Sequence, residues 1–296
     1  MSSSGIRYAD YLGWTFTPAV IASVIFLATD FLLVFNLLRC KVPPARSTFY
    51  VMIAWATLRS AGMICRALST TDQLGSNLGL FITTAVLISV ALFPLLRTLI
   101  ANLLRVHVSV DNIKRIHGLV QASQPSNVRG RQHGNFKHFQ SVSSMALLVI
   151  IVVLISGVVW ILNTPAGVAV DPTATTLRLA GTWALAVFTW IQFFACVRAF
   201  IVVLGLPKRI RSETHLVANS IILIFQSVML IIRTIYGLYA IGAIGTVALA
   251  IPEGIYYSLG LVTELLYVVP FLIPKQVEKM EPVPTESQKE AQTGDI

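Results

Sequence analysis

The chain has 296 residues, of which 55% are hydrophobic and 12% charged. A soluble globular domain carries about 25% charged residues, so this composition excludes one and points to a polytopic membrane protein. The formal net charge of +9 does not signal nucleic acid as a partner, because the basic residues alternate with the apolar runs instead of forming one patch.

Seven apolar runs are long enough for a hydrocarbon layer of about 30 Å: 17–38, 48–68, 79–104, 142–162, 179–204, 216–239 and 252–274. The expected fold is therefore all-α, a seven-helix transmembrane bundle over 17–274. Residues 1–16 hold one basic residue, Arg7, and no signal-peptide pattern, so the first run is expected to stay as an anchor. The loop 39–47 carries Arg39, Lys41 and Arg46 around Cys40, a candidate for palmitoylation or a plain free thiol. The long segment 105–141 carries Arg105, Lys114, Arg115, Arg129, Arg131 and Lys137. It is expected to be a mobile loop, with an interfacial helix around 106–120 continuing the third run. The loop 205–215 carries Lys208, Arg209 and Arg211. The tail 275–296 carries Lys275, Lys279 and Lys289 and is expected to be disordered. Opposite these segments only Arg7 and Arg178 are basic. The positive-inside bias then places the N-terminus outside and the C-terminus in the cytoplasm, in the plasma membrane or another endomembrane.

Cys65 and Cys196 fall inside apolar runs, which leaves no disulfide framework. His107, His117, His133 and His138 lie in the basic segment; His133 and His138, five apart, have no cysteine or carboxylate beside them, and no metal or cofactor is expected. Pro94 should kink the third helix. Gly62, Gly157 and Gly181 suit close helix packing. Trp14, Trp160 and Trp183 suit interfacial anchors, whereas Trp55 and Trp190 lie deeper and suit packing.

The charged residues inside the runs carry the functional argument. In the sixth run Asn219, Gln226 and Arg233 recur every seven residues, and Tyr236 stands beside Arg233. In the seventh run Glu253 and Glu264 are eleven apart. At 3.6 residues per turn both spacings return to one face, so each helix presents a polar stripe that must face protein or water. Estimated depths put Asp30, Arg59 and Glu264 near the midplane, and Arg66, Arg233 and Glu253 near the outer surface. Arg59 and Arg66 share one face of the second helix, which can meet the seventh-helix face bearing Glu264 and Glu253, matched in depth and opposite in sign. Two ion-pair layers joining helices one, two, six and seven follow, with Arg233 expected beside Glu253. Arg97 and Arg198 lie toward the opposite side without acids. The layers either hold the bundle together or line a polar cavity, where Arg233, Tyr236, Glu253 and Tyr257 would hold a ligand.

Some seven-helix functions lack their residues. The seventh run has no lysine for a retinal Schiff base. The places of the rhodopsin-type receptor motifs read Leu104-Arg105-Val106 and Val268-Val269-Pro270. The histidines that an intramembrane zinc hydrolase needs are absent from the runs.

The stretch Ile232-Arg233-Thr234-Ile235-Tyr236, followed by Glu253-Gly254-Ile255-Tyr256-Tyr257, resembles the last two helices of fungal lipid-translocating-exporter-like proteins, the family linked to aminocholesterol resistance. The family's further acids fall here at Ala240 and Gly260. Asn77-Leu78-Gly79-Leu80, Phe93-Pro94-Leu95-Leu96 and Leu103-Leu104-Arg105-Val106 are similar to helix three of a sister group of fungal seven-helix proteins. The resemblance implies the seven-helix topology and a protein that binds, senses or translocates an amphipathic, lipid-like molecule among membrane lipids. Arg233, Tyr236, Glu253 and Tyr257 are the matching site residues. The alternatives are a small membrane-embedded enzyme of the terpene-cyclase kind, with Asp30 or Glu264 as acid, and a ligand-operated receptor whose partners bind 105–141.

Overall fold

The computed structural model describes residues 14–116, 126–163, 171–245 and 253–281. The helices are α1 (Phe16–Arg39), α2 (Pro43–Ser69), α3 (Leu78–Val90), α4 (Leu92–Ile116), α5 (Ser126–Leu162), α6 (Pro172–Leu204), α7 (Lys208–Glu213), α8 (Leu216–Gly245), α9 (Glu253–Ile255), α10 (Thr263–Leu272) and α11 (Gln276–Lys279). A π-helical stretch, Tyr256–Val262, joins α9 to α10. Seven segments among the described residues are long and apolar enough to cross a membrane. Phe31, Leu38, Phe194 and Ile201 stand exposed on their outer faces, as a hydrocarbon solvent requires. The protein is an all-α integral membrane protein.

The spans close into a ring in chain order, the seventh (α9–α10) meeting the first (α1). The third span runs inside the ring: α4 packs on α2, α5, α6 and α8. This span is divided at Ala91, three residues before Pro94. The proline ring has no N–H to offer the Val90 carbonyl and crowds it, so the helix restarts with Pro94 in its first turn. The expected kink is thus a break. Asn77 caps α3, its side chain accepting from the Leu80 N–H at 3.1 Å. Asp171 does the same for α6, accepting from the Thr173 N–H at 2.8 Å, with Pro172 as first helical residue.

Two expectations need correction. Most of 105–141, expected as a mobile loop, is helical: α4 runs on to Ile116, in line with the expected helix around 106–120, and α5 begins at Ser126. His117 lies outside the described residues, and of His133 and His138 only the backbone is described. The tail is ordered over its first seven residues. Lys275 turns the chain through a left-handed conformation (φ 63°), and α11 folds back under the bundle with Val277 and Met280 buried. The Asn219 amide donates to the Lys279 carbonyl at 2.8 Å, and the Lys41 N–H donates to Glu278 at 3.0 Å. The Arg105 guanidinium reaches the Glu281 carboxylate at 3.2 Å, and burial raises the Glu281 carboxyl from its ordinary value against that pull. Enough apolar and backbone partners exist here to order a polar sequence. Residues 282–296 lie outside the described residues.

Cys40 is buried, its thiol turned toward the Val42 carbonyl at 3.5 Å, and burial pushes it up from the ordinary thiol range. That placement disfavours acylation. Trp190 is not core packing: it is 42% exposed and packs edge-on against Phe193 on the outer surface.

Gly157 and Gly181 let α5 and α6 touch along their backbones. A Cβ on Gly157 would stand 2.5 Å from the Arg178 nitrogen, and one on Gly181 2.8 Å from the Leu154 Cα. A Cβ on Gly62 would meet the Ile88 side chain at 3.3 Å and Leu87 Cβ at 3.5 Å, with the nearest backbone atom at 3.7 Å. Gly157→Ala and Gly181→Ala should each lose about 1–3 kcal/mol, since neither backbone can yield. Gly62→Ala should lose less. Melting of the three variants in detergent checks the order.

Candidate functional site

The polar stripe of α8 docks on the seventh span and on the segment after it. Asn219 holds α11, as above. Two turns on, the Gln226 amide donates to the Tyr267 carbonyl at 3.1 Å. Pro270 follows Tyr267 by three residues within α10, in a stretch where the helix has lost one backbone donor. Two turns further, Arg233 Nε donates to Glu264 Oε1 at 2.8 Å. A period of seven, written on one helix, thus becomes three ties at three depths.

Glu264 is the hub. It is fully buried, as are Arg59 and Trp55. Arg59 donates to it through two nitrogens, Nε to Oε2 and Nη2 to Oε1. Trp55 Nε1 donates to Oε2 at 3.2 Å. With Arg233, each carboxylate oxygen accepts two hydrogen bonds, which fills its acceptor capacity. Trp55 and Arg59 are one helical turn apart on α2, so both reach the same acid. Sequence reasoning assigned Trp55 to packing alone. The four-residue spacing from Arg59 was the available signal for its second role.

A second layer sits toward the end of the bundle where Glu253 begins the seventh span. Arg66 Nη2 meets Glu253 Oε1 at 2.9 Å. Thr15 donates to the same carboxylate through its backbone N–H at 3.2 Å and through its hydroxyl. The Arg66 guanidinium lies over the rings of Trp14 at 4.4 Å, Tyr256 at 4.3 Å and Tyr257 at 5.4 Å. The chain just before α1 is strapped across this end by these contacts. Trp14, expected as an interfacial anchor, also packs against Phe81.

The four candidate ligand residues are brought to this region; Arg59 with Glu264 and Arg66 with Glu253 are the pairs their depths match, and Arg233 departs from the expectation. Arg233 pairs with Glu264, and Glu253 pairs with Arg66. Tyr236 lies against Arg233, 5.4 Å from ring centroid to guanidinium carbon, and against Tyr256. Tyr257 packs edge-on against Tyr256. The buried Tyr256 and Tyr257 hydroxyls have no hydrogen-bond partner of normal geometry among the described residues, although Tyr257 lies near the Glu253 carboxylate. Gly260, where the resembled family has an acid, faces the Tyr236 and Tyr256 rings; a Cβ there would meet each at 3.6 Å.

Asp30 takes no part in the hub. Its Oδ2 accepts from the Thr57 hydroxyl at 3.2 Å, on a side of α2 where Thr57 is exposed. Thr57 and Arg59 are separated by about 200° around the helix, which turns the two charges apart. Arg97 and Arg198 are exposed. Among the described residues no His, Cys, Asp or Glu group is arranged to hold a metal ion. No family model, curated protein or solved structure matches this chain.

The hub and the Arg66–Glu253 layer make separable demands. Glu264→Gln leaves two buried guanidinium groups without an acid and should be the most damaging change, on the order of 3–5 kcal/mol. Arg59→Leu should follow, and Arg233→Gln, which leaves one arginine per acid, should not lower the melting temperature. In a double-mutant cycle on melting, Arg66→Ala and Glu253→Ala should couple. Arg233→Ala and Glu253→Ala should add to within about 0.5 kcal/mol.

Proposed function

We propose that this integral membrane protein binds, senses or translocates an amphipathic, lipid-like molecule within the polar part of its bundle, without catalysing a reaction. The observation that carries the reading is the region between the second, sixth and seventh spans. There arginines stand beside the rings of Tyr236, Tyr256 and Tyr257, and the buried Tyr256 hydroxyl has no partner among the described residues. A ligand with a polar head and an apolar body finds both chemistries in one place. A π-helical stretch runs through the same region, and such stretches are frequent at functional sites.

Acid catalysis is less well supported. Glu264, the deepest carboxylate, has every acceptor position taken by protein donors, and Asp30 faces away from the aromatic region. The same residues, Arg233, Tyr236, Glu253 and Tyr257, support placing the chain beside the fungal lipid-translocating-exporter-like proteins.

The test is lipid analysis by mass spectrometry on protein purified in mild detergent. A discrete amphipathic species should be enriched over the bulk membrane composition and depleted in Tyr257→Ala. Co-purified lipid that mirrors the bulk membrane in both proteins counts against the reading.

For orientation we propose the N-terminus outside and the C-terminus in the cytoplasm, on the alternation of basic segments. A cysteine introduced at position 131 should resist a membrane-impermeant thiol reagent in intact cells and react after permeabilisation. Labelling in intact cells reverses the orientation.

A further inference from the structure

The charges inside the bundle balance at two levels and fail to balance at a third. Toward one end Arg66 faces Glu253, one to one. Toward the other Arg105 faces Glu281, one to one. In the middle Arg59 and Arg233 share Glu264 alone. A guanidinium is a permanent cation, so this level carries one excess positive charge among buried side chains. The Asp30 carboxylate lies near this depth but is held by Thr57 about 200° around the second helix from Arg59, turned away from the hub, and Asp111 lies near His107, well along α4. A buried charge without a counter-charge is the costliest arrangement a membrane interior can hold.

We propose that Arg59 and Arg233 bind the anionic head of a ligand, a single negative charge carried on oxygen such as a carboxylate, between the second, sixth and seventh spans. This deepens the amphipath-binding reading and rests on it. Two observations support it besides the charge count. Arg59 Nη1 is buried on a side chain with no exposure and has no acceptor among the described residues. The other unpartnered groups from that level toward Arg66 are able to donate: the Ser60 hydroxyl, Arg66 Nε and the Tyr256 hydroxyl, whereas the Tyr257 hydroxyl lies near the Glu253 carboxylate. A cluster of unused donors around an excess cation is what an oxyanion needs. The unpartnered acceptor Gln226 Oε1 lies two turns to the other side of Arg233, where an anion would be repelled. Head at Arg59 and body along the tyrosine rings is the orientation this polarity selects.

The test is thermal melting of the purified protein in an uncharged detergent with laurate, lauryl alcohol or acetate. Wild type should gain about 5 °C with saturating laurate, the shift expected of a site filled well above its dissociation constant. Arg233→Gln balances the hub at one to one. It should melt no lower than wild type without ligand and should not respond to laurate. Arg233→Met repeats the test with another neutral side chain. An acetate response as large as that of laurate, lost in Arg233→Gln, supports the anion site and makes a free anion its occupant, which counts against the amphipath reading. A lauryl alcohol response equal to that of laurate overturns the anion site and leaves the amphipath reading standing. The anion site is also overturned by an undiminished laurate response in Arg233→Gln, by no response to any probe, or by both neutral variants melting below wild type without ligand.

Discussion

Glu264 is the constraint on which the rest of the bundle depends. One carboxylate, fully buried, accepts from Arg59 and Trp55 on the second span and from Arg233 on the sixth. In hydrocarbon no water competes for these groups, and each of them is costly alone. Three spans are therefore locked at one depth by a requirement that apolar packing does not impose. Leucine and isoleucine surfaces slide past one another at little cost, whereas a carboxylate with every acceptor position filled does not.

The two ends of the bundle are closed by different means. At the Glu253 end the segment before α1 crosses over, and Thr15 and Trp14 engage Glu253 and Arg66. At the other end α11 turns back, with Asn219 and Arg105 holding its backbone and Glu281. The interior polar layers thus lie between two straps. A ligand entering the region of Arg59 from the Glu253 end would meet the Trp14–Arg66–Tyr256 contacts first.

The seventh span is the least regular element and the one that carries both glutamates. Its π-helical stretch changes the winding between Glu253 and Glu264, and Pro270 removes a backbone donor just beyond. Both irregularities are stabilised from outside the helix. Gln226 occupies the Tyr267 carbonyl, Asn36 donates to the Leu272 carbonyl at 3.1 Å, and the Tyr267 hydroxyl donates to the Leu95 carbonyl at 2.7 Å. Local helix propensity is overruled here by tertiary hydrogen bonds, which count fully because the surroundings are dry.

The sequence by itself determined the class, the seven spans, the existence of polar stripes on the sixth and seventh, and the proline break in the third. Each follows from a run length or a period measured along one helix. Face and depth also matched Arg59 with Glu264 and Arg66 with Glu253, as found, but did not place Arg233 or Asp30. Arg233 was expected beside Glu253 because the sixth span was ended at 239. Helix α8 instead continues to Gly245, so Arg233 lies twelve residues before the connecting segment and Glu264 eleven residues after Glu253, at matching depth. Asp30 fell at the right depth for Arg59 and yet faces Thr57, because depth says nothing of direction around the helix. The order of 275–281 was equally invisible, since its polar sequence is held by partners some sixty or more residues away. Periodicity fixes a face and a height on a single helix. Partnership depends on tilt, helix length and rotation between helices, and those exist only once the bundle is packed.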